Sequence, residues 1–170
     1  DALDHLSSLE GQRAFIVTDA TIVKLGFVDL VKDRLAQAGI EVQVFSEVES
    51  DPSLQTVRRG SECMLEYEPD WIIGLGGGSS IDAAKGMWVL YEHPELDPRG
   101  INPFETLGLR RRARLICIPT TSGTGAEATW AIVLTDLEDE RKLSLGSPET
   151  MPDLAFVDPA LTAEMPPWLT

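Results

Sequence analysis

Short β-branched apolar runs alternate with longer stretches of helical spacing along the first half of the chain. Residues 13–18 (RAFIVT) are apolar, β-branched and bounded by Gly11 and Asp19, which predicts a buried strand. From Thr21 to Ala38, Ile22, Leu25, Val28, Val31 and Leu35 keep the spacing of one helix face, and Gly39 is a natural stop. Residues 41–45 (EVQVF) alternate as a half-exposed strand does. Asp51-Pro52-Ser53 opens a second helix running to Tyr67, and residues 70–75 (DWIIGL) read as a third strand. That strand runs into Gly76-Gly77-Gly78-Ser79-Ser80 and a helix over 81–91. This βαβαβα order predicts an α/β fold with a parallel, doubly wound sheet covered by helices on both faces.

The second half is less regular. Residues 93–112 carry His93-Pro94, Asp97-Pro98, Gly100 and Asn102-Pro103 and are expected to hold no long element. Leu115 to Ile118 is a short strand leading into PTTSGTGAEAT (119–129). Residues 131–135 and 142–145 flank a polar turn and read as a β-hairpin, and 154–157 as a last strand. No internal repeat divides the chain, so residues 1–170 are expected to form one domain.

Composition narrows the partners. With 43% hydrophobic residues, 170 residues can bury a core without disulfide staples. Against 14 basic residues stand 28 acidic ones, a net charge of −14 that repels phosphate backbones and anionic lipid. Neither nucleic acid nor a membrane is therefore expected as a partner, and no apolar run approaches the ~18 residues of a spanning helix. Two distant cysteines, Cys63 and Cys117, make no disulfide framework and fit a reducing cytoplasm. His5 and His93 are too few for a histidine-rich metal site. The start at Asp1 rather than Met suggests a piece of something larger.

Two loops carry the candidate chemistry. The turn Gly76-Gly77-Gly78-Ser79 follows a buried strand and opens a helix, where unpaired N–H groups and a partial positive charge suit a pyrophosphate. Asp82 is counted with this cradle, although an acid there supports the turn more naturally than it meets an anion. Lys85, one turn in, either lends charge or forms a salt bridge. The bland alternative is a tight strand-to-helix turn with a serine cap; the spacing matches neither the dinucleotide fingerprint nor a P-loop. Thr120, Thr121, Ser122 and Thr124 place hydroxyls in a second loop at the same sheet edge, which is harder to explain as a mere turn. Asp19 closes the first strand and either accepts from ribose hydroxyls, favouring NAD over NADP, or caps the next helix; both readings stand. Lys142 reaches phosphate or ribose, or is an exposed hairpin lysine. The run Arg110 to Arg114 is expected as a solvated loop or interface stripe, and the four tryptophans as core or interface aromatics.

Four colinear motifs, IVTDATIVKLGFVD (16–29), IIGLGGGSSIDAAKG (72–86), IPTTSGTGAEAT (118–129) and LAFVDPALTAEMPPWLT (154–170), resemble those of the iron-containing (group III) alcohol dehydrogenases. That resemblance implies an N-terminal Rossmann-like domain that binds NAD(P), followed by a helical domain that binds Fe(II) or Zn(II). It implies that Asp19 is the adenosine-ribose ligand and that Asp51, a further cofactor-binding residue, stands where members often carry Asn near the adenosine. It makes Gly76, Gly77, Gly78 and Ser79 the pyrophosphate cradle, Thr120, Thr121, Thr124 and Thr129 the second cofactor loop, and Lys142 the ribose-side lysine. The family's metal ligands, one Asp and three His, would fall beyond Thr170, and its leading β-segment ahead of Asp1. The expectation is therefore a cofactor half with no catalytic residue and no metal ligand of its own, its substrate a small alcohol or aldehyde in the intact enzyme. Apolar surface near Met165 to Leu169 is expected to favour a homo-oligomer. Two other readings remain: a non-catalytic NAD(H)-binding module, and a fragment of a glycerol dehydrogenase or of a lyase of the dehydroquinate synthase type.

Overall fold

Five parallel strands form the sheet: β1 (Arg13–Val17), β2 (Glu41–Phe45), β3 (Trp71–Gly76), β4 (Arg114–Pro119) and a two-residue β7 (Leu154–Ala155). Their order is β2-β1-β3-β4-β7, and β5 (Ala131–Asp136) and β6 (Arg141–Gly146) make a separate antiparallel hairpin. The computed structural model describes residues 2–163 and 165. The expected doubly wound α/β sheet with a hairpin is thus present, with its topological switch between β1 and β3.

Alternation along the strands builds two cores. Val44, Ile16, Ile73, Ile116 and Leu154 lie in one register row across all five strands. Ala14, Ile16, Ile73, Leu75, Ile116 and Ile118 face Ile22, Val28, Val31 and Leu35 on one side. Phe15, Val17, Ile72, Leu115 and Cys117 face the helices α3 (Leu54–Tyr67) and α4 (Gly78–Glu92) on the other. Strands buried on both faces read as continuous apolar runs, as β3 and β4 do.

Several boundaries differ from the sequence reading. The single helix expected over 21–38 is two, α1 (Ala20–Lys24) and α2 (Phe27–Gln37), broken where Gly26 takes φ 79°. A left-handed residue ends one helix and re-aims the next, and the unbroken apolar spacing concealed it. The second helix starts only after Ser53, whose Oγ accepts from Thr56 N. The last strand stops at Ala155 instead of reaching 157. An N-terminal 3-10 turn, Ala2–Ser8, was not anticipated; it buries Leu3 and Leu6 against the α2 face.

The arginine run is not simply solvated. Arg110 donates to Asp153 Oδ1 (2.8 Å) and to the Glu149 and Met151 carbonyls, with its guanidinium 5.0 Å from the Trp88 ring. Arg112 and Arg114 lie over Tyr91 and Trp71. Guanidinium planes on aromatic faces explain so basic a stretch in an acidic chain. Trp71 and Trp88 are buried and Trp130 is exposed, whereas Trp168 and, of the stretch Met165 to Leu169 expected to drive self-association, residues 166–169 lie outside the described residues. Among the described residues, no helix is long and apolar enough to cross a membrane.

Candidate functional site

A cleft of about 790 Å³ opens at the carboxyl edge of the sheet, over the ends of β1 and β3. One wall is Asp19, Thr21, Leu25 and the segment Val48–Ser50; the floor is Gly77–Ser80; Thr120 and Thr121 close the far side. Each wall has a local cause. Asp19 is the N-cap of α1: its Oδ1 accepts from Thr21 N (2.7 Å) and Ile22 N (3.1 Å). Its Oδ2 accepts from Ser80 Oγ at 3.4 Å, so the capping and cleft-facing oxygens are different atoms. The two readings of Asp19 are therefore compatible.

The glycine turn is shaped by contact with its neighbours. Gly76 has φ 145°, and a Cβ there would stand 2.6 Å from Ser80 Oγ; only glycine fits that backbone and that space. Cβ positions on Gly77 and Gly78 would meet Thr121 Oγ1 at 3.4 Å and the Thr124 methyl at 3.3 Å, so the second loop abuts the turn. The helix α4 begins at Gly78, inside the turn, and its cap residue Gly77 supplies no side-chain bond. Its first N–H groups thus face the cleft with the positive end of a 15-residue helix behind them. Thr120 N donates to Gly76 O (3.0 Å), joining the two loops.

Other expected residues lie elsewhere. Asp82 points away from the turn to accept from Val133 N (3.0 Å). Thr129 is exposed and engages through its carbonyl. Asp51 and Lys142 pair with each other at 2.7 Å, both well exposed, and neither lines the cleft. Asp51 takes φ 56°, a conformation Asp and Asn tolerate better than most residues.

Sequence reading does not single out Glu49, and it leaves Lys85 between lending charge to the turn and forming a salt bridge. Glu49 lines the cleft with its carboxylate fixed by Ser53 N and Thr56 Oγ1, both at 2.9 Å. Burial raises its pKa, but these hydrogen bonds outweigh burial and hold the carboxyl below its usual range. The E-x3-S-x2-T spacing around the α3 cap is the signal that would have found it. Lys85 is fully buried, its Nζ donating to the carbonyls of Ala126 (2.7 Å), Thr129 (2.8 Å) and Ala131 (3.0 Å). Burial lowers the Lys85 pKa and raises that of Asp82, each partly offset by the other at 4.0 Å.

Among the described residues no group of three or more His, Cys, Asp or Glu is placed to hold an ion. His93 Nε2 is committed to Leu107 O at 2.6 Å and the His5 ring stacks on Phe156. Cys117 is buried on β4, which pushes its thiol up to about 12 and makes it a small apolar side chain.

A family model described as "Iron-containing alcohol dehydrogenase" matches residues 1–159. The chain belongs to the iron-containing alcohol dehydrogenase family. It is 47% identical to an NADPH-dependent butanol dehydrogenase of Clostridium saccharobutylicum over 99% of this chain and 44% of that protein. It is 43% identical to the bifunctional aldehyde-alcohol dehydrogenase AdhE of Escherichia coli K12 over 97% of this chain and 20% of that protein. Among solved structures, the iron-containing alcohol dehydrogenase of Thermococcus thioreducens superposes with TM-score 0.89 at 31% identity, over 99% of this chain and 46% of the other. An archaeal halo-thermophilic alcohol dehydrogenase from a Red Sea brine pool gives the same TM-score at 32% identity, over 99% and 45%. The chain thus spans less than half the length of these members of the iron-containing family.

Proposed function

We propose that this chain is the NAD(H)-binding part of a metal-dependent alcohol dehydrogenase that interconverts a small alcohol and its aldehyde or ketone by hydride transfer. The carrying observation is one cleft at the β1/β3 switch point, where the α4 N-terminus, the glycine turn, the Asp19 carboxylate and the Thr120–Thr121 wall converge. The donor set suits a dinucleotide: backbone N–H groups for a pyrophosphate, the Asp19 Oδ2 oxygen, held only by a long 3.4 Å bond from Ser80 Oγ, for a ribose diol, and glycines that let the ligand approach the backbone. Asp19 favours NAD over NADP, since a 2′-phosphate would meet its negative charge; the Clostridium relative, by its name, uses NADPH. In this reading the chain's residues bind and orient the cofactor, and a divalent iron or zinc bound in the intact enzyme would supply Lewis acidity toward the alcohol oxygen. The described residues do not fit that metal, so no step of the chemistry is assigned to them. The reading takes the protein as cytoplasmic, with neither nucleic acid nor membrane as a partner.

Calorimetric titration of the 170-residue chain with NADH and then NADPH, without metal, tests the proposal. Saturable binding with NADH preferred is expected. Uptake of neither nucleotide would refute it.

A further inference from the structure

Of the four lysines, Lys24, Lys32 and Lys142 are exposed and Lys85 has no exposed surface at all. Burying an ammonium is costly unless each of its protons finds an acceptor. Here all three do, and all three acceptors are main-chain carbonyls of one short stretch, residues 126–131. Asp82, one turn earlier on the same helix, takes Val133 N. The second turn of α4 therefore grips the chain at four points between Ala126 and Val133. This stretch contains a single 3-10 turn, Ala126–Ala128, before β5, and the ammonium supplies the donors that a neighbouring strand would otherwise provide.

The gripped stretch is the continuation of the hydroxyl loop. Immediately before it stand Thr121 and Thr124, packed against the Cβ directions of Gly77 and Gly78 at the start of the same helix. One helix thus forms the floor of the cleft with its first turn and anchors the opposite wall with its second. We propose that Lys85 is a positioning residue for dinucleotide binding: through the carbonyls of Ala126, Thr129 and Ala131 it sets where Thr121 and Thr124 stand against the glycine turn. This rests on the reading of the cleft as a dinucleotide site. Lys85 does not line the cleft, so it acts through the loop and not on the ligand.

The test uses Lys85→Met, which keeps the length and removes the charge, and Lys85→Arg, which restores charge and donors. Two quantities are read on the 170-residue chain: NADH affinity by fluorescence, and amide exchange of residues 120–131 against that of β1 and β3. Expected for Lys85→Met are at least tenfold weaker binding and faster exchange confined to 120–131, with Lys85→Arg recovering much of both. Unchanged binding, or exchange that rises equally in β1 and β3, overturns the proposal. If Lys85→Met does not fold, Lys85→Gln takes its place: binding weakened several-fold supports the proposal, and unchanged binding overturns it. If the wild-type chain itself takes up no NADH, the cleft reading fails and the proposal with it, whatever the exchange of the loop.

Discussion

Asp19 divides its carboxylate between two tasks, and the division can be measured. Oδ1 caps α1 through Thr21 N and Ile22 N, and Oδ2 faces the cleft beside Ser80. Glycine is tolerated at an N-cap, so Asp19→Gly should cost only a few tenths of a kcal/mol of stability. Binding should respond far more. Hydrogen bonds to a charged group contribute roughly 1.5–3 kcal/mol, so loss of the ribose acceptor should weaken NADH about 10- to 150-fold. NADPH should bind more tightly, because a carboxylate and a phosphate charge ~4 Å apart repel by up to about 4 kcal/mol at a surface-like effective dielectric. The assay is urea denaturation alongside paired titrations with NADH and NADPH. A variant that loses more than about 1.5 kcal/mol of stability while its NADH-to-NADPH ratio stays at the wild-type value would show that Asp19 is a cap and nothing else.

Further outcomes follow from the turn and the hairpin. Gly76→Ala combines a backbone region reserved for glycine with a 2.6 Å approach to Ser80 Oγ, and should cost about 2–5 kcal/mol by urea midpoint; a loss below about 1 kcal/mol would contradict the packing described. Asp136 is fully enclosed, accepts from Arg99 Nε at 2.7 Å and from Glu138 N at 3.0 Å, and these bonds hold its carboxyl below the usual aspartate range. Its stabilisation is complete above the unfolded aspartate pKa of ~3.9 and is lost as pH falls through the lower folded value. Asp136→Asn should therefore lower stability at neutral pH and flatten its dependence below about pH 4; an unchanged acid limb in urea melts would argue against this account.

The framework was legible because burial on both faces of a parallel sheet leaves β-branched runs such as AFIV and WIIGL between amphipathic stretches. What escaped had causes outside local pattern. Leu25-Gly26 sits inside unbroken helical spacing, so the break between α1 and α2 left no trace in periodicity. Gly78 reads as part of the turn before a helix over 81–91, yet it is the first residue of α4, where a glycine costs less than in a helix interior. A lysine is exposed by default, and the three carbonyls that make Lys85 an exception lie 41 to 46 residues away. The pairing of Asp51 with Lys142 spans 91 positions and is likewise a product of the fold. Asp19 and the glycine turn were nameable because strand ends and helix starts constrain residue type locally.

The strand order has a consequence for how the chain is made. β1 pairs with β2 on one edge, but its other edge waits for β3, which ends at Gly76. About 60 residues separate the ends of β1 and β3, so at ~5–20 residues per second the ribosome takes roughly 3–12 s to deliver the partner. During that interval the unpaired edge of Ala14 to Val17, among the most apolar segments of the protein, is open to any other nascent strand. The window for misassembly is thus set by the switch point itself, the same topological feature that creates the cleft.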